Sequence, residues 1–243
     1  MQQNNALQHQ MMGYDRASMF SPDGRLLQVE YAKKTVKQGT SIIGIVFKDG
    51  VLLIADRRTL DPLMVINSVE KVFQIDDHIA AAAAGIVSDG RILIERAQVL
   101  AQQHRVTYDS PIDIYSLVKE ICNVKQAYTQ HGGARPFGVS LLVIGMNKNP
   151  KLFLTDPTGI HWEYKATAIG ESEDELKSII AKNYRDNLSK EEALKIAVEA
   201  LKKVLGKEFS LERLDGGIIT QADKKFTKLN KENLKKYLKK WQT

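Results

Sequence analysis

Few of the 243 residues combine a type and a spacing that could carry covalent chemistry. Gly39-Thr40-Ser41 stands at the head of two apolar runs, Asp56 closes the second run, and Lys71 follows it. A threonine hydroxyl is a poor nucleophile unless a base lies beside it. One solution uses the threonine's own free α-amine as that base, with a nearby lysine adjusting the local electrostatics. Such chemistry needs Thr40 at the start of a chain, and here 39 residues precede it. Other chemistries lack their signatures. No Gly-x-Gly-x-x-Gly after a strand, Walker loop, Gly-x-Ser-x-Gly or Cys-x-x-Cys occurs. Cys122 is the lone cysteine, so no internal disulfide forms, which fits a reducing compartment. His9, His78, His104, His131 and His161 lie too far apart to make a metal site with it, so neither metal nor cofactor is expected.

Composition narrows the classes further. Hydrophobic residues make up 43% and charged residues 26%, ordinary values for a globular chain. No run approaches the 18 or so apolar residues of a membrane span. Residues 1–12 are polar and Gln/Asn-rich, unlike a secretory signal, and a cytoplasmic location is expected. The net charge of +6 is concentrated: residues 224–240 hold eight lysines against one glutamate, leaving the rest near neutral. Within that stretch Leu234, Leu238 and Trp241 recur at helical spacing, which predicts a docked C-terminal helix with its lysines in solvent. A nucleic-acid-binding module using these lysines is the alternative. The aromatic and arginine interleaving typical of such surfaces is missing.

The elements that must position these residues follow from local pattern. Ser21-Pro22-Asp23-Gly24 reads as a capped helix start, Leu26, Val29, Ala32 and Val36 mark one face, and Gly39 ends the helix. The runs 41–47 and 51–55 flank Lys48-Asp49-Gly50, a hairpin signal. Shorter strands are predicted at 72–75 and 78–84. Helices are predicted over about 86–105 and from Ser110-Pro111 through Tyr128. Strands return at 139–145, 151–155 and 161–168, with a turn at Asp156-Pro157-Thr158-Gly159. Two helices open with capping boxes, Ser172 with Glu175 and Ser189 with Glu192, before a strand through Ile218-Ile219. Clustered strands and clustered helices indicate an α+β fold. Two antiparallel sheets, each covered by paired helices, would form a four-layer αββα sandwich with an extra N-terminal helix. The expected organisation is a flexible leader, 1–12, and one domain, 13–243.

Gly13-Tyr14-Asp15-Arg16-Ala17 and the segment from Phe20-Ser21-Pro22-Asp23-Gly24-Arg25 to Tyr31-Ala32 resemble the signature of proteasome α subunits, above all the single-type form of archaea. The resemblance continues through Gly39 to Arg57, Asn67 to Lys71 and Tyr128 to Gly138. It implies the N-terminal-nucleophile hydrolase sandwich already suggested by element order. It also implies a non-catalytic subunit of the 20S core particle. Seven copies would form an outer ring, cap rings of proteasome β subunits and admit unfolded polypeptide to their threonine protease sites.

The family's catalytic β subunits place a propeptide-released threonine at the position of Thr40, with partners at Asp56, Lys71 and Asp215. They have a serine where this chain carries Glu171 after Ile169-Gly170. An active β-type protease with Thr40 exposed is therefore a second alternative, against which stands the amphipathic helix before Thr40. The α resemblance assigns Tyr14, Asp15, Pro22 and Tyr31 to a cluster holding an open gate, with the leader closing the pore. It assigns Lys71, Gly24, Glu30 and Gly85 to a pocket between neighbours. That pocket would take the C-terminal carboxylate tail of a proteasome-activating ATPase, for which an ammonium point charge is suited. Gly132, Gly133, Ala134, Arg135 and Pro136 match the loop that narrows the pore. The family carries one more residue between Ala17 and Phe20 than the Ser18-Met19 found here.

Overall fold

Strict alternation along the apolar strands decides the architecture. A computed structural model describes residues 12–13, 19–58, 61, 63–65, 68–229 and 232–234. Among them α1 spans Leu27–Gln38, followed by β1 Ile42–Phe47, β2 Gly50–Asp56, β3 Val72–Asp76 and β4 Ile79–Gly85. Two helices follow, α2 Val87–Tyr108 and α3 Ile114–Tyr128, then β5 Val139–Met146, β6 Pro150–Thr155, β7 His161–Glu163 and β8 Ala166–Ile169. The chain continues with α4 Glu173–Asn183, α5 Lys190–Leu205, β9 Leu214–Thr220 and β10 Phe226–Leu229. One antiparallel sheet has the order β10-β9-β2-β1-β8, the other β3-β4-β5-β6-β7.

The strand period of two sends neighbouring residues to opposite faces. In β2, Leu52 and Ile54 pack outward with Leu194, Ala197 and Leu201 of α5, while Val51, Leu53 and Ala55 face the second sheet. In β5, Val139, Leu141 and Val143 pack outward with Leu93, Ala97, Leu117 and Ile121 of α2 and α3, while Leu142, Ile144 and Met146 face inward. Both faces of both sheets are therefore buried. The αββα sandwich expected from element order is the observed one.

Several local expectations are corrected. Ser21 does not cap α1. Its hydroxyl donates to Asp23 and accepts from the Arg25 amide at 3.1 Å, closing a turn in which Gly24 has φ +76°. The helix then starts at Leu27 without a side-chain cap. The helix predicted from Ser110 begins four residues later, because Asp113 accepts the Ser116 amide. Ser172 sits at φ +57°, outside the extended geometry a cap requires, so only Ser189 and Glu192 form a capping box. The single strand predicted over 161–168 is two, one in each sheet, with Trp162 opposite Leu154 and Thr167 opposite Gly44. Residues 226–229 of the expected lysine-rich helix form the edge strand β10. Helical residues follow at 232–234, where Leu234 is buried against the α4/α5 layer.

Candidate functional site at one end of the sandwich

Strand registers gather the singled-out residues at one end. Ile42 opposes both Ala55 and Ile169, and Asp215 opposes Ala55. Thr40, Asp56, Asp215 and Gly170-Glu171 therefore cluster, with Lys71 just before β3 and Gly85 closing β4 at the same end. Main-chain bonds fix Thr40 in place: the Asp56 amide donates to the Ser41 carbonyl at 2.8 Å and the Glu171 amide to the Gly39 carbonyl at 2.6 Å. The Ser41 hydroxyl donates to the Glu171 carbonyl at 2.5 Å. Upstream, α1 buries Leu27, Val29, Ala32 and Val36 and leads into Thr40 through Gly39. The helix is integral to the packing, and the Thr40 nitrogen in this chain is a peptide amide with no basicity.

The two acids of this cluster carry further contacts. Asp56 is 2% exposed and accepts two hydrogen bonds from Arg213, at 2.9 and 2.8 Å. Asp215 accepts the amides of Lys71 and Val72 at 2.8 and 2.9 Å and lies 3.3 Å from the Lys228 ammonium. Lys228 belongs to the predicted basic face, and β10 turns it inward to Glu70 and the Val72 carbonyl. Burial depresses the Lys71 ammonium below the ordinary lysine range, with Arg58 adding to it and Asp56 and Asp215 opposing. The Thr40 hydroxyl is buried without a hydrogen-bond partner among the described residues. Arg213 carried no signal in the local pattern, since it lies 157 residues from Asp56 along the chain.

The four residues expected to line a pocket divide between two flanks. Lys33 lies 3.3 Å from Asp156 after β6, and Thr35 donates at 2.8 Å to the carbonyl of Gly138 before β5. A Cβ on Gly39 would overlap the Gly85 amide at the end of β4. The helix thus crosses the sheet from the β6 side towards β4, with β3 and Lys71 beyond. Glu30 lies about 12 Å behind Gln38 along the axis, at 1.5 Å per residue. Gly24 and Glu30 accordingly sit on the flank opposite Lys71. The Arg25 guanidinium hydrogen-bonds Glu30 at 2.6 Å and holds its carboxyl below the usual range. Of the gate cluster, Pro22 is exposed and Tyr31 half-buried, whereas Tyr14, Asp15 and leader residues 1–11 lie outside the described residues.

Residues 131–135 are exposed, and Gly133 has φ +84°, as a tight turn requires. Arg135 anchors the loop by donating to both Asp89 oxygens, at 2.6 and 2.8 Å. Burial would raise the Asp89 carboxyl, but Arg135 and the Gly138 amide outweigh it and hold it below the usual range. Among the described residues no His, Cys, Asp and Glu group is placed to hold a metal, and no helix is long and apolar enough to cross a membrane.

Two family models match the chain. The one described as "Proteasome subunit" covers residues 36–219, and the N-terminal signature of A-type proteasome subunits covers residues 14–34. Relatives named as the alpha subunit of the proteasome include that of Methanocaldococcus jannaschii, 52% identical over 93% of this chain and 87% of the relative. That of Archaeoglobus fulgidus is 48% identical over 93% of both chains. That of Pyrococcus horikoshii is 48% identical over 93% of this chain and 87% of its own.

Proposed function

The chain belongs to the proteasome subunit family, in its α class, and from that premise we propose that it is a non-catalytic ring-forming and gating subunit. Seven copies stand side by side in the outer ring of a cytoplasmic 20S particle, over rings of β subunits that cleave unfolded polypeptide. The observation that supports this reading most is the separation of the residues assigned to the pocket. Lys71 and Gly85 occupy one flank and Gly24 and Glu30 the other, so the halves meet only when one copy's β3 side faces the next copy's α1. That is a head-to-tail contact, which generates a closed ring when its rotation closes. The completed pocket offers a partly desolvated ammonium to the carboxylate terminus of an ATPase tail. Such a pair gains strength where water is scarce.

The leader, rich in Gln and Asn, is suited to a gate, because a segment with few apolar residues to bury opens at low cost. Gly132 to Pro136 would narrow the pore beneath it. The engaged Asp56 and the unpartnered Thr40 hydroxyl favour selection by access over chemistry in this chain.

The test uses complexes assembled with β subunits. Lys71→Ala should abolish activator-stimulated protein degradation while leaving ring assembly intact by native mass. Unchanged stimulation removes the pocket from the reading. Deleting residues 2–12 should raise basal peptide hydrolysis, and no rise removes the gate. Intact mass decides against the β-type rival if Thr40 remains internal, and a mature chain beginning at Thr40 with peptidase activity establishes that rival.

A further inference from the structure

The tip of the 132–136 loop has few anchors: the Ala134 amide donates to the His131 carbonyl at 3.3 Å, and the His131 ring nitrogen lies 2.7 Å from the Ala127 carbonyl in the last turn of α3. Among the described residues a Cβ on Gly132 or Gly133 would meet no atom within 4 Å, and residues 131–135 are exposed. The bonds at His131 tie the side that leaves α3, and the other side is set where the loop enters the sheet. At that base Asp89, in the first turn of α2 and only 8% exposed, gathers three donors. Its two oxygens accept from Arg135 at 2.6 and 2.8 Å, and one of them also accepts the Gly138 amide at 2.9 Å. The Gly138 carbonyl in turn accepts the Ile86 amide at 2.9 Å and the Thr35 hydroxyl of α1 at 2.8 Å. One residue on, the buried Lys125 ammonium of α3 donates to the Val139 carbonyl at 3.0 Å. Three helices thus grip residues 138–139, and Asp89 carries that grip outward to Arg135, which also donates to the Pro136 carbonyl at 3.0 Å.

We propose that Asp89 is the positioning residue that sets the aperture of the pore loop by locking Arg135 to the rigid stem at Gly138. The inference rests on the reading that this loop narrows the pore. A planar guanidinium held by both carboxylate oxygens is fixed in angle as well as distance, so loop and stem move as one body. The α2 N-terminus adds to the grip, since its dipole favours an anion in the first turn. Asp89→Asn is nearly isosteric and keeps an acceptor for the Gly138 amide. Its NH2 group then faces one guanidinium nitrogen, so the two-point charged clamp on Arg135 is reduced to a single neutral-acceptor bond. Loss of a charged hydrogen-bonded pair raises the population of displaced loop by roughly ten-fold or more.

The experiment uses particles assembled with β subunits and lacking residues 2–12, so that the leader does not limit entry. The substrate is an unfolded protein carrying one internal disulfide loop, which presents two strands at once, compared with its reduced single-strand form. Asp89→Asn should raise the looped-to-reduced ratio of degradation rates by roughly threefold or more. A purely structural defect slows both forms together and leaves that ratio unmoved. Arg135→Met, at a half-exposed side chain that leaves Asp89 its amide donor, should give the same shift and serves if Asp89→Asn does not assemble. Ala134→Trp at the exposed tip should slow the reduced chain. If Ala134→Trp slows entry but neither Asp89→Asn nor Arg135→Met moves the ratio, the role of Asp89 is overturned and the pore reading stands. If Ala134→Trp has no effect, the pore reading falls and the inference with it.

Discussion

Replacing Arg213 by methionine removes the hydrogen-bonded counter-ion of Asp56, the acid beside Thr40. Asp56 is 2% exposed and both its oxygens accept from Arg213, whose own side chain is 14% exposed. Methionine preserves much of the apolar stem and removes every donor, so the carboxylate stays buried without its counter-ion. Breaking one side of such a pair costs about 3–5 kcal/mol, because the remaining charge keeps its desolvation cost and loses its attraction. In a chain of this size 1 kcal/mol corresponds to about 2–4 °C, so the melting temperature should fall by roughly 6–20 °C. Lys71, attracted to Asp56 across the same cluster, can offset part of the loss and favours the lower end of that range. Urea unfolding of the purified chain, followed by tryptophan fluorescence, gives the free energy directly. Asp56→Asn alone should cost less, since Arg213 keeps Glu208 at 3.0 Å and reaches solvent. The double variant should be more stable than Arg213→Met by about 2 kcal/mol or more, as the orphaned charge is gone. A loss below about 1 kcal/mol for Arg213→Met, or a double variant no more stable than it, would refute the assignment of Asp56 to Arg213.

Burial pushes the Lys125 ammonium down to about 8, with Cys122 and Asp156 opposing, against an ordinary value of 10.5. Between these values the unfolded chain holds a proton that the folded chain has released, so stability rises with pH. Relative to Lys125→Met, the native chain should gain about 2 kcal/mol from pH 8 to 10. Parallel pH profiles would remove the buried ammonium from the account. Gly85 has φ +121° and a Cβ there would overlap the Gly138 carbonyl, whereas Gly133 at φ +84° faces open space. Gly133→Ala should therefore cost about 1–2 kcal/mol, the ordinary left-handed strain, and Gly85→Ala distinctly more. Equal urea midpoints for the two variants would contradict the close packing of Gly85 against Gly138.

The layering of this fold was legible because it rests on short-range periodicity. The apolar β-rich runs at 41–47, 51–55 and 139–145, the Asp49-Gly50 turn and the Ser189/Glu192 box each express local backbone preference, and each element formed where the pattern placed it. Expectations that failed did so where a residue had a distant competitor for its side chain or its strand. The run 161–168 has one apolar pattern, yet its halves pair with Phe153–Thr155 and with Ile42–Ile45 in different sheets. Ser21 and Ser172 have the right chemistry for caps, but the turn at Gly24 and the left-handed backbone at 172 put their hydroxyls to other use or out of reach. Lysine-rich 224–229 looked like a solvated helix face until β9 supplied an edge for β10.

Residue types alone determined that a threonine, an acid and a lysine could meet at the head of the first hairpin, and that 39 residues stand before that threonine. Tertiary structure decided which of these charges answer to one another. Arg213 reaches Asp56 across 157 residues, Arg135 reaches Asp89 across 46, and Lys228 reaches Glu70 across 158. The physical reason is that hydrogen-bonding periodicity is written within a few residues, whereas an ion pair needs only closeness in space. Which guanidinium desolvates beside which carboxylate is settled when the sheets stack, and no local window of sequence contains that choice.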